Sequence, residues 1–340
     1  MRTYQIQTPD GIDAIKQIEL SKPILAADEV LVKMKACSLN YRDLLIPLGG
    51  YVRNDVRPIT PLSDGAGEVI AIGSDVTTVK AGDRVMGNFF QDWVSGPMNT
   101  AGLHSALGGA INGTLSDYFV LKAHGTVSIP EHLSYEEAAT LPCAAVTAWH
   151  ALVSLGNLKA GETVLLLGTG GVSIIGLQLA KAIGAKVIIT SSSDEKLERA
   201  RTMGADHLIN YRKTPEWEQE VLAITGGKGV DNVLEVGGVG TFEKSIASTK
   251  VNGIVSMIGL LTGAEGAAFN LSVVFNLLKV HGIYVGSVDM FNTMNEFIAK
   301  HSIKPVVDKV FSFSNAQQAY HYLAEAKHFG KVVIVNDNKN

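Results

Sequence analysis

The chain has 340 residues, of which 46% are hydrophobic and 18% are charged, so it can bury a large core and is not intrinsically disordered. Its 29 Lys and Arg residues against 33 Asp and Glu residues give a net charge of −4, with no basic block, which argues against a nucleic-acid partner. Only two cysteines occur, too few for a disulfide framework or a four-thiolate zinc site, so a reducing compartment, the cytoplasm, is expected.

The first part of the chain, residues 1–125, is predicted to be a loop-rich β domain. Short β-branched runs such as 29–36 and 67–73 are bounded by Asp, Gly and Pro, and helical periodicity is weak. Met1 to Asp10 lack the apolar core of a signal peptide, and no apolar run reaches the roughly 18 residues needed to cross a bilayer. No association with a membrane is therefore expected.

From residue 126 the pattern changes to alternating strands and helices. Ser134 and Glu137 have the spacing of a capping box, as do Ser192 and Glu195, and apolar residues recur at helical spacing from Val172 to Ile183. Apolar strands are predicted at 163–167, 186–190, 232–236, 253–258 and 282–285. Because this alternation is typical of a parallel sheet with crossover helices, residues 126–288 are predicted to form a second, α/β domain.

A glycine-rich loop joins the first strand of this second domain to its first helix. The loop reads Gly168, Thr169, Gly170, Gly171, Val172 and Ser173. Such a loop lets a strand turn sharply, brings the backbone close to a pyrophosphate and offers the amides of the next helix to negative charge. Ser173 stands at the third glycine position of the G-x-G-x-x-G pattern and is also small. The loop predicts a dinucleotide site, and the alternative is a tight turn without a ligand.

The end of the next strand indicates which dinucleotide binds. An acidic side chain about 20 residues after the glycines would bind the adenosine ribose hydroxyls and repel a 2′-phosphate. The strand ends instead in Thr190, Ser191, Ser192 and Ser193. Because no carboxylate precedes Asp194 and Lys196 follows, NADP(H) is expected rather than NAD(H), with Ser191, Ser192 and Lys196 as binding residues. Alternatively, the serines only cap the following helix.

The order of motifs along the chain resembles that of the medium-chain dehydrogenase/reductase superfamily, which includes zinc alcohol dehydrogenases and zinc-free quinone oxidoreductases. The motifs are Asn40-Tyr41-Arg42-Asp43, residues 61–69, residues 81–85, Leu141-Pro142-Cys143 with Thr147-Ala148-Trp149, and the glycine loop. The resemblance implies a GroES-like β domain plus a Rossmann domain, a doubly wound parallel sheet, with the active site in the cleft between them. It also implies that residues 289–340 return to the first domain, and that two copies form a homodimer through the sheet of the cofactor domain.

Zinc members of this superfamily hold their catalytic metal with Cys, His and Cys. By the resemblance, Asn40, Ser63 and Cys143 stand at these positions, and Asp64 is the acidic neighbour of the histidine position. One thiol, one hydroxyl and one amide cannot hold zinc with normal affinity. The four closely spaced cysteines of the structural zinc lobe are also absent from the sequence. No metal is therefore expected.

Without zinc, reduction of a quinone or of an enone double bond is easier to explain than oxidation of a simple alcohol, because hydride addition gives a conjugated oxyanion that hydrogen bonds stabilise. The expected reaction is hydride transfer from NADPH to such a small molecule. Asn40, and Tyr41 or Tyr51, are the expected hydrogen-bond donors, and solvent supplies the proton. Two alternatives stay open: a metal-free alcohol dehydrogenase or aldehyde reductase, and an NADPH-binding redox sensor without turnover.

Four further residues are candidates for the cofactor site. The resemblance places Thr147 near the nicotinamide and Tyr211 beside the adenosine. Gly237 and Gly259 follow apolar strands, where the backbone can approach the nicotinamide half of the cofactor. Each of these interpretations has a structural alternative. Thr147 could serve only helix packing, and the two glycines could serve only turn geometry. Tyr51, proposed above as a donor, could equally be an ordinary packed or surface tyrosine.

Overall fold

The structure, a computed structural model, describes residues 1–50, 58–259, 261–262 and 270–337. In these ranges the strands are β1 (Arg2–Ile6), β2 (Ile15–Glu19), β3 (Glu29–Ser38), β4 (Asp64–Ile72), β5 (Arg84–Gly87), β6 (Tyr118–Lys122), β7 (Thr126–Ser128), β8 (Thr163–Leu166), β9 (Lys186–Ser191), β10 (His207–Asn210), β11 (Val230–Glu235), β12 (Thr249–Met257), β13 (Lys279–Gly282), β14 (Val307–Ser312) and β15 (Lys331–Val335).

The α-helices of the same ranges are α1 (Tyr41–Leu45), α2 (Thr100–Leu103), α3 (Tyr135–Ala138), α4 (Val146–Trp149), α5 (Gly171–Ile183), α6 (Asp194–Thr202), α7 (Trp217–Ile224), α8 (Val239–Ala247), α9 (Ser272–Phe275), α10 (Val288–Lys300) and α11 (Ala316–Ala324). Two π-helical turns, Leu141–Ala145 and His150–Ser154, flank α4. Within the described part of the chain, no helix combines the length and the apolar character that a membrane span requires.

The chain forms two compact units, one from Met1–Val146 and Val285–Asn340 and the other from Thr147–Tyr284. The boundary predicted at residue 126 therefore differs from the observed one. Strand β7 pairs antiparallel with β5, which keeps residues 126–128 in the first unit. Local patterning could not detect this, since the helical segments that follow β7 have the same periodicity whichever unit they pack on.

The first unit is built on β3, which pairs with three other strands. Its residues Glu29 to Lys33 pair with β6, Ala36 to Ser38 pair with β15, and β4 runs antiparallel along the other edge. The sheet order is β14-β15-β3-β4-β5-β7, and β1 and β2 form a separate hairpin. In the β3 and β4 register Ser38 lies opposite Asp64, so strand pairing brings together residues far apart in sequence.

The second unit is a six-stranded parallel sheet in the order β10-β9-β8-β11-β12-β13. This is the strand order of a Rossmann fold, with the crossover between β8 and β11 as the point where the order reverses. Val164, Leu165 and Leu166 of β8 are fully buried, as expected for a central parallel strand. The last strand was predicted at 282–285, whereas β13 spans Lys279–Gly282. Val285 has a positive φ of 58°, so a strand could not have extended through it.

Candidate active site

The turn after β8 has the geometry of a phosphate-binding loop. Gly168 has a φ of 70°, a conformation that disfavours residues with a Cβ, and Gly170 is the N-cap of α5 without any side-chain cap. The Ser173 hydroxyl donates to the Leu167 carbonyl oxygen at 2.6 Å and so ties the first turn of α5 to the strand. The amides at the start of this thirteen-residue helix are thus left for an anion.

The serines at the end of β9 have distinct roles. Ser191 is buried, and its Oγ accepts from the Ser193 amide at 3.3 Å. Ser193, rather than Ser192, caps α6, its Oγ accepting from the Lys196 amide at 3.4 Å. The predicted capping role of Ser192 was wrong, because β9 runs one residue further than predicted, through Ser191. The Ser192 hydroxyl is therefore not used as the helix cap.

Asp194, the first acidic residue after β9, is bound by a lysine and an asparagine. Asp194 accepts from Lys213 Nζ at 2.5 Å and from Asn210 Nδ2 at 2.7 Å, and the Lys213 contact lowers the pKa of its carboxyl. Tyr211 lies beside the same strand end, since its amide donates to the Ser191 carbonyl oxygen at 3.1 Å. Ser191 and Tyr211 thus lie together at the end of β9. Asp194, the first carboxylate after that strand, pairs with Lys213.

A buried carboxylate at the end of β11, Glu235, was missed by the sequence analysis. It accepts from the amides of Gly237 at 2.7 Å and Gly238 at 2.9 Å, and from the hydroxyls of Thr241 and Ser245 in α8. The available signal was an acidic residue directly after the apolar pair Val233 and Leu234. Glu235 holds the turn between β11 and α8 in shape by satisfying four donors.

Turn geometry alone requires both candidate glycines of this region. A Cβ on Gly237 would lie 2.2 Å from Thr241 Oγ1, and a Cβ on Gly259 would lie 2.1 Å from the Val236 carbonyl oxygen. These distances are far below van der Waals contact. The cofactor roles of Gly237 and Gly259 therefore stay predictions.

In the first unit, Asn40 is part of a closed ring of hydrogen bonds. Lys331 Nζ donates to Asn40 Oδ1 and lies 3.4 Å from Asp64 Oδ2; Asn40 Nδ2 donates to Ser63 Oγ at 3.5 Å. Ser63 Oγ in turn donates to Asp64 Oδ1 at 2.8 Å. Lys331 and Asp64 are both buried, with 6% and 0% of their side chains exposed, and Asn40 is half-buried. No local sequence pattern marks Lys331, which lies 267 residues from Asp64.

For the other predicted catalytic residues, the structure gives less detail than for Asn40. Tyr41 begins α1 next to Asn40 and is 42% exposed. Thr147 is buried and belongs to the second unit. Tyr51 lies outside the described residues. Asn40 is therefore the predicted donor whose surroundings the structure defines in detail.

The donor set at the zinc positions of the superfamily does not fit a zinc ion. Asp64 already accepts from Lys331 and from the Ser38 and Ser63 hydroxyls, and Asn40 Oδ1 faces the Lys331 ammonium. Desolvation and the charge of Asp64 raise the pKa of the Cys143 thiol, which disfavours the thiolate that zinc requires. Among the described residues, no group of three His, Cys, Asp or Glu side chains could hold a metal.

Asp43 is a fully buried carboxyl beside this ring. Its Oδ2 accepts from the Asn40 amide at 2.7 Å, while its Oδ1 has no hydrogen-bond partner among the described residues. Burial raises the pKa of Asp43 to about 6, although the Arg42 charge and the Asn40 amide act in the opposite direction. The folded protein thus favours the protonated carboxyl more than the unfolded chain does.

We expect Asp43→Asn to stabilise the protein at neutral pH more than at acidic pH. The pKa is raised in the folded state, so the ionised carboxyl costs free energy above about pH 6, and this cost disappears as the pH falls towards the ordinary value of 3.8. The variant's advantage in unfolding free energy should therefore grow by about 1–3 kcal/mol between pH 4 and pH 7.5. Melting temperatures of both proteins across that range measure it, and a difference independent of pH would contradict it.

Two family models match this chain. Residues 26–131 match the alcohol dehydrogenase GroES-like domain, and residues 171–300 match the family described as zinc-binding dehydrogenase. A zinc-type alcohol dehydrogenase-like protein of Schizosaccharomyces pombe is 48% identical over 335 residues, which cover 96% of each chain.

Solved structures agree with the fold of the whole chain. A crystal structure of an NAD-dependent alcohol dehydrogenase superposes with a TM-score of 0.89 at 32% identity, covering 98% of this chain and 99% of that one. Escherichia coli quinone oxidoreductase complexed with NADPH superposes with a TM-score of 0.85 at 25% identity, covering 98% of this chain and all (100%) of that one.

A GroES-like unit together with a Rossmann unit that carries a phosphate-binding turn defines an NAD(P)H-dependent oxidoreductase. The chain belongs to the medium-chain dehydrogenase/reductase superfamily, whose members compared above act on small molecules. The expected fold, superfamily and enzyme class are thereby confirmed.

Proposed function

We propose that the protein is a zinc-independent reductase that uses NADPH to reduce a quinone, an enone or a related carbonyl compound. The observation that carries this proposal is the ring of Asn40, Ser63, Asp64 and Lys331. This ring presents an amide N–H at positions that, by the resemblance, hold metal ligands in zinc enzymes. The likeness to a quinone oxidoreductase complexed with NADPH supports the same function.

The proposed mechanism relies on donors rather than on a Lewis acid. When bound, NADPH supplies a hydride to a carbon of the conjugated system, and the electron pair of the broken π bond moves to the substrate oxygen. Asn40 Nδ2 donates to that oxygen and stabilises the negative charge that develops on it. We propose Tyr41 or Tyr51 as a second donor and solvent as the source of the proton, and we assign Thr147 to the nicotinamide.

The test is turnover of NADPH with a panel of matched acceptors after exhaustive treatment with a chelator. Cyclohexenone or a naphthoquinone should be reduced with a kcat unchanged by the chelator, and zinc should be far below one per chain. Turnover restricted to aldehydes, lost on chelation and restored by zinc, would overturn the proposal. The metal-free alcohol dehydrogenase alternative is favoured by the likeness to an NAD-dependent alcohol dehydrogenase, and aldehyde reduction that survives chelation would support it.

For the cofactor, we propose NADP(H) in preference to NAD(H). Ser191 occupies the strand end where NAD enzymes carry an acid, and Asp194 is bound to Lys213 and Asn210. The glycine loop would hold the pyrophosphate, and Ser191, Ser192, Lys196 and Tyr211 would surround the adenosine ribose and its 2′-phosphate. Gly237 and Gly259 would let the backbone approach the nicotinamide half.

We also propose that the protein acts in the cytoplasm as a homodimer. Strand β13 ends the order of the parallel sheet and pairs, within the described residues, with β12 alone. Several apolar side chains in and near α9 are exposed, among them Leu271, Val274, Phe275 and Leu277. An unpaired strand edge beside exposed apolar side chains is a suitable surface for a second copy of the chain.

A further inference from the structure

We propose that Lys331 is a positioning residue, which fixes the amide of Asn40 so that Nδ2 faces the substrate oxygen. This inference rests on the proposed role of Asn40 as a hydrogen-bond donor. It assigns a function to a buried lysine that lies in β15, at the far end of the chain from Asn40.

The chemistry of the ammonium group decides the orientation of the amide. A lysine side chain donates three hydrogen bonds and accepts none, so the atom of Asn40 that faces it must be the oxygen. Lys331 Nζ makes three such contacts, to Asn40 Oδ1, to the Leu39 carbonyl oxygen at 2.7 Å and to Asp64 Oδ2. The opposite orientation would place the amide N–H groups against a buried cation.

The remaining contacts of Asn40 agree with this orientation. One N–H of Nδ2 points to Ser63 Oγ, and that hydroxyl donates onward to Asp64 Oδ1. Within the described ranges Nδ2 makes a single hydrogen bond, to Ser63 Oγ, and Asn40 is half-buried rather than enclosed. The second N–H is therefore left for a substrate, while Lys331 keeps the competing Oδ1 turned away.

Asp64 holds the lysine in place. The pair is almost completely buried, and the Ser38 hydroxyl satisfies Asp64 Oδ2 from the other side at 3.1 Å. Because removal of Lys331 alone would leave the buried Asp64 charge without its cation, that single variant risks unfolding. The test therefore uses Asp64→Asn as the common background, in which removal of Lys331 leaves no buried carboxylate without its cation.

The matched pair is Asp64→Asn and Asp64→Asn with Lys331→Met. Loss of the charge-assisted hydrogen bond to Oδ1 changes the ratio of the productive to the turned orientation by about tenfold or more. The Leu39 carbonyl oxygen also loses its lysine donor and can accept from the turned amide, so the turned orientation becomes the favoured one. The double variant should therefore lose about tenfold in kcat for enone reduction, with a smaller change in KM. Unchanged circular dichroism and NADPH affinity would show that it is folded.

The decisive measurement repeats this comparison in an Asn40→Ala background. If Lys331 acts through Asn40, Lys331→Met should cost no more than about twofold there, because the amide is already absent. A loss that persists at full size in that background would overturn the positioning role. If Asn40→Ala alone left kcat unchanged, the proposed role of Asn40 as a donor would fail, whereas the proposed function is tested separately by acceptor turnover after chelation, so the two failures are distinguishable.

A second variant keeps the test informative if the methionine variant does not fold. Lys331→Gln, in the Asp64→Asn background, retains an N–H donor on a side chain one atom shorter, which needs only a small shift to donate to Asn40 Oδ1, and it should stay within about threefold of the background kcat. A loss by the glutamine variant as large as that expected for methionine would also overturn the inference.

Discussion

Replacement of Asn40 by alanine is expected to lower kcat for enone or quinone reduction by about 10²–10³-fold, the usual effect of removing one donor to a developing oxyanion. Affinity for NADPH should be unchanged, because in the proposed mechanism Asn40 contacts the substrate oxygen and not the cofactor. Stopped-flow measurement of hydride transfer, together with a fluorescence titration of NADPH, separates the two effects.

Asn40→Asp is the matched control for this prediction. An aspartate can still accept from Lys331 and is a favourable N-cap for α1, so the fold should be retained. It offers no N–H when ionised, and its kcat should therefore fall as far as that of the alanine variant. If either variant kept kcat within about threefold of the wild type, the substrate oxygen must be stabilised by other groups.

Ser191→Asp is expected to reverse the cofactor preference. A carboxylate within a few ångströms of the 2′-phosphate would cost about 4 kcal/mol at an effective dielectric constant of about 20, so affinity for NADPH should fall at least about a hundredfold. The same carboxylate can accept from the ribose hydroxyls of NADH, whose use should improve. Ratios of kcat/KM for the two cofactors measure the change.

Ser191→Asn controls for the size of the new side chain. Asparagine can replace the hydroxyl as acceptor for the Ser193 amide without adding a charge, and NADPH should remain the preferred cofactor. A wild-type protein that already prefers NADH, or an aspartate variant with an unchanged ratio, would show that no 2′-phosphate binds at the end of β9.

Much of the second unit could be predicted from contiguous residues. An apolar run, a glycine loop and an amphipathic helix from Gly171 to Ile183 carry the signal for β8 and α5 within about twenty residues, and the positive φ of Gly168 is a local requirement for glycine. The Ser134 and Glu137 capping box was likewise confirmed, since Ser134 Oγ accepts from the Glu137 amide at 3.2 Å. These features depend on periodicity and turn chemistry, which short segments encode.

The position of unit boundaries and of individual caps was less predictable. The start of the second unit was expected at 126, and the capping serine of α6 was expected one residue too early. Both depend on how far a strand continues its pairing, and that is decided by the neighbouring strand rather than by the residues at the strand end.

By itself, the sequence determined the superfamily and the glycine turn between β8 and α5, because each is encoded in neighbouring residues or in residue types. Only the tertiary structure decided what surrounds Asn40. Pairing of β15 and β4 with β3 brings Lys331 and Asp64 to Asn40, and no local pattern marks a lysine whose partners lie so far along the chain. Burial then makes the contact specific, since an ammonium group inside a protein must find acceptors and admits only one orientation of the amide beside it.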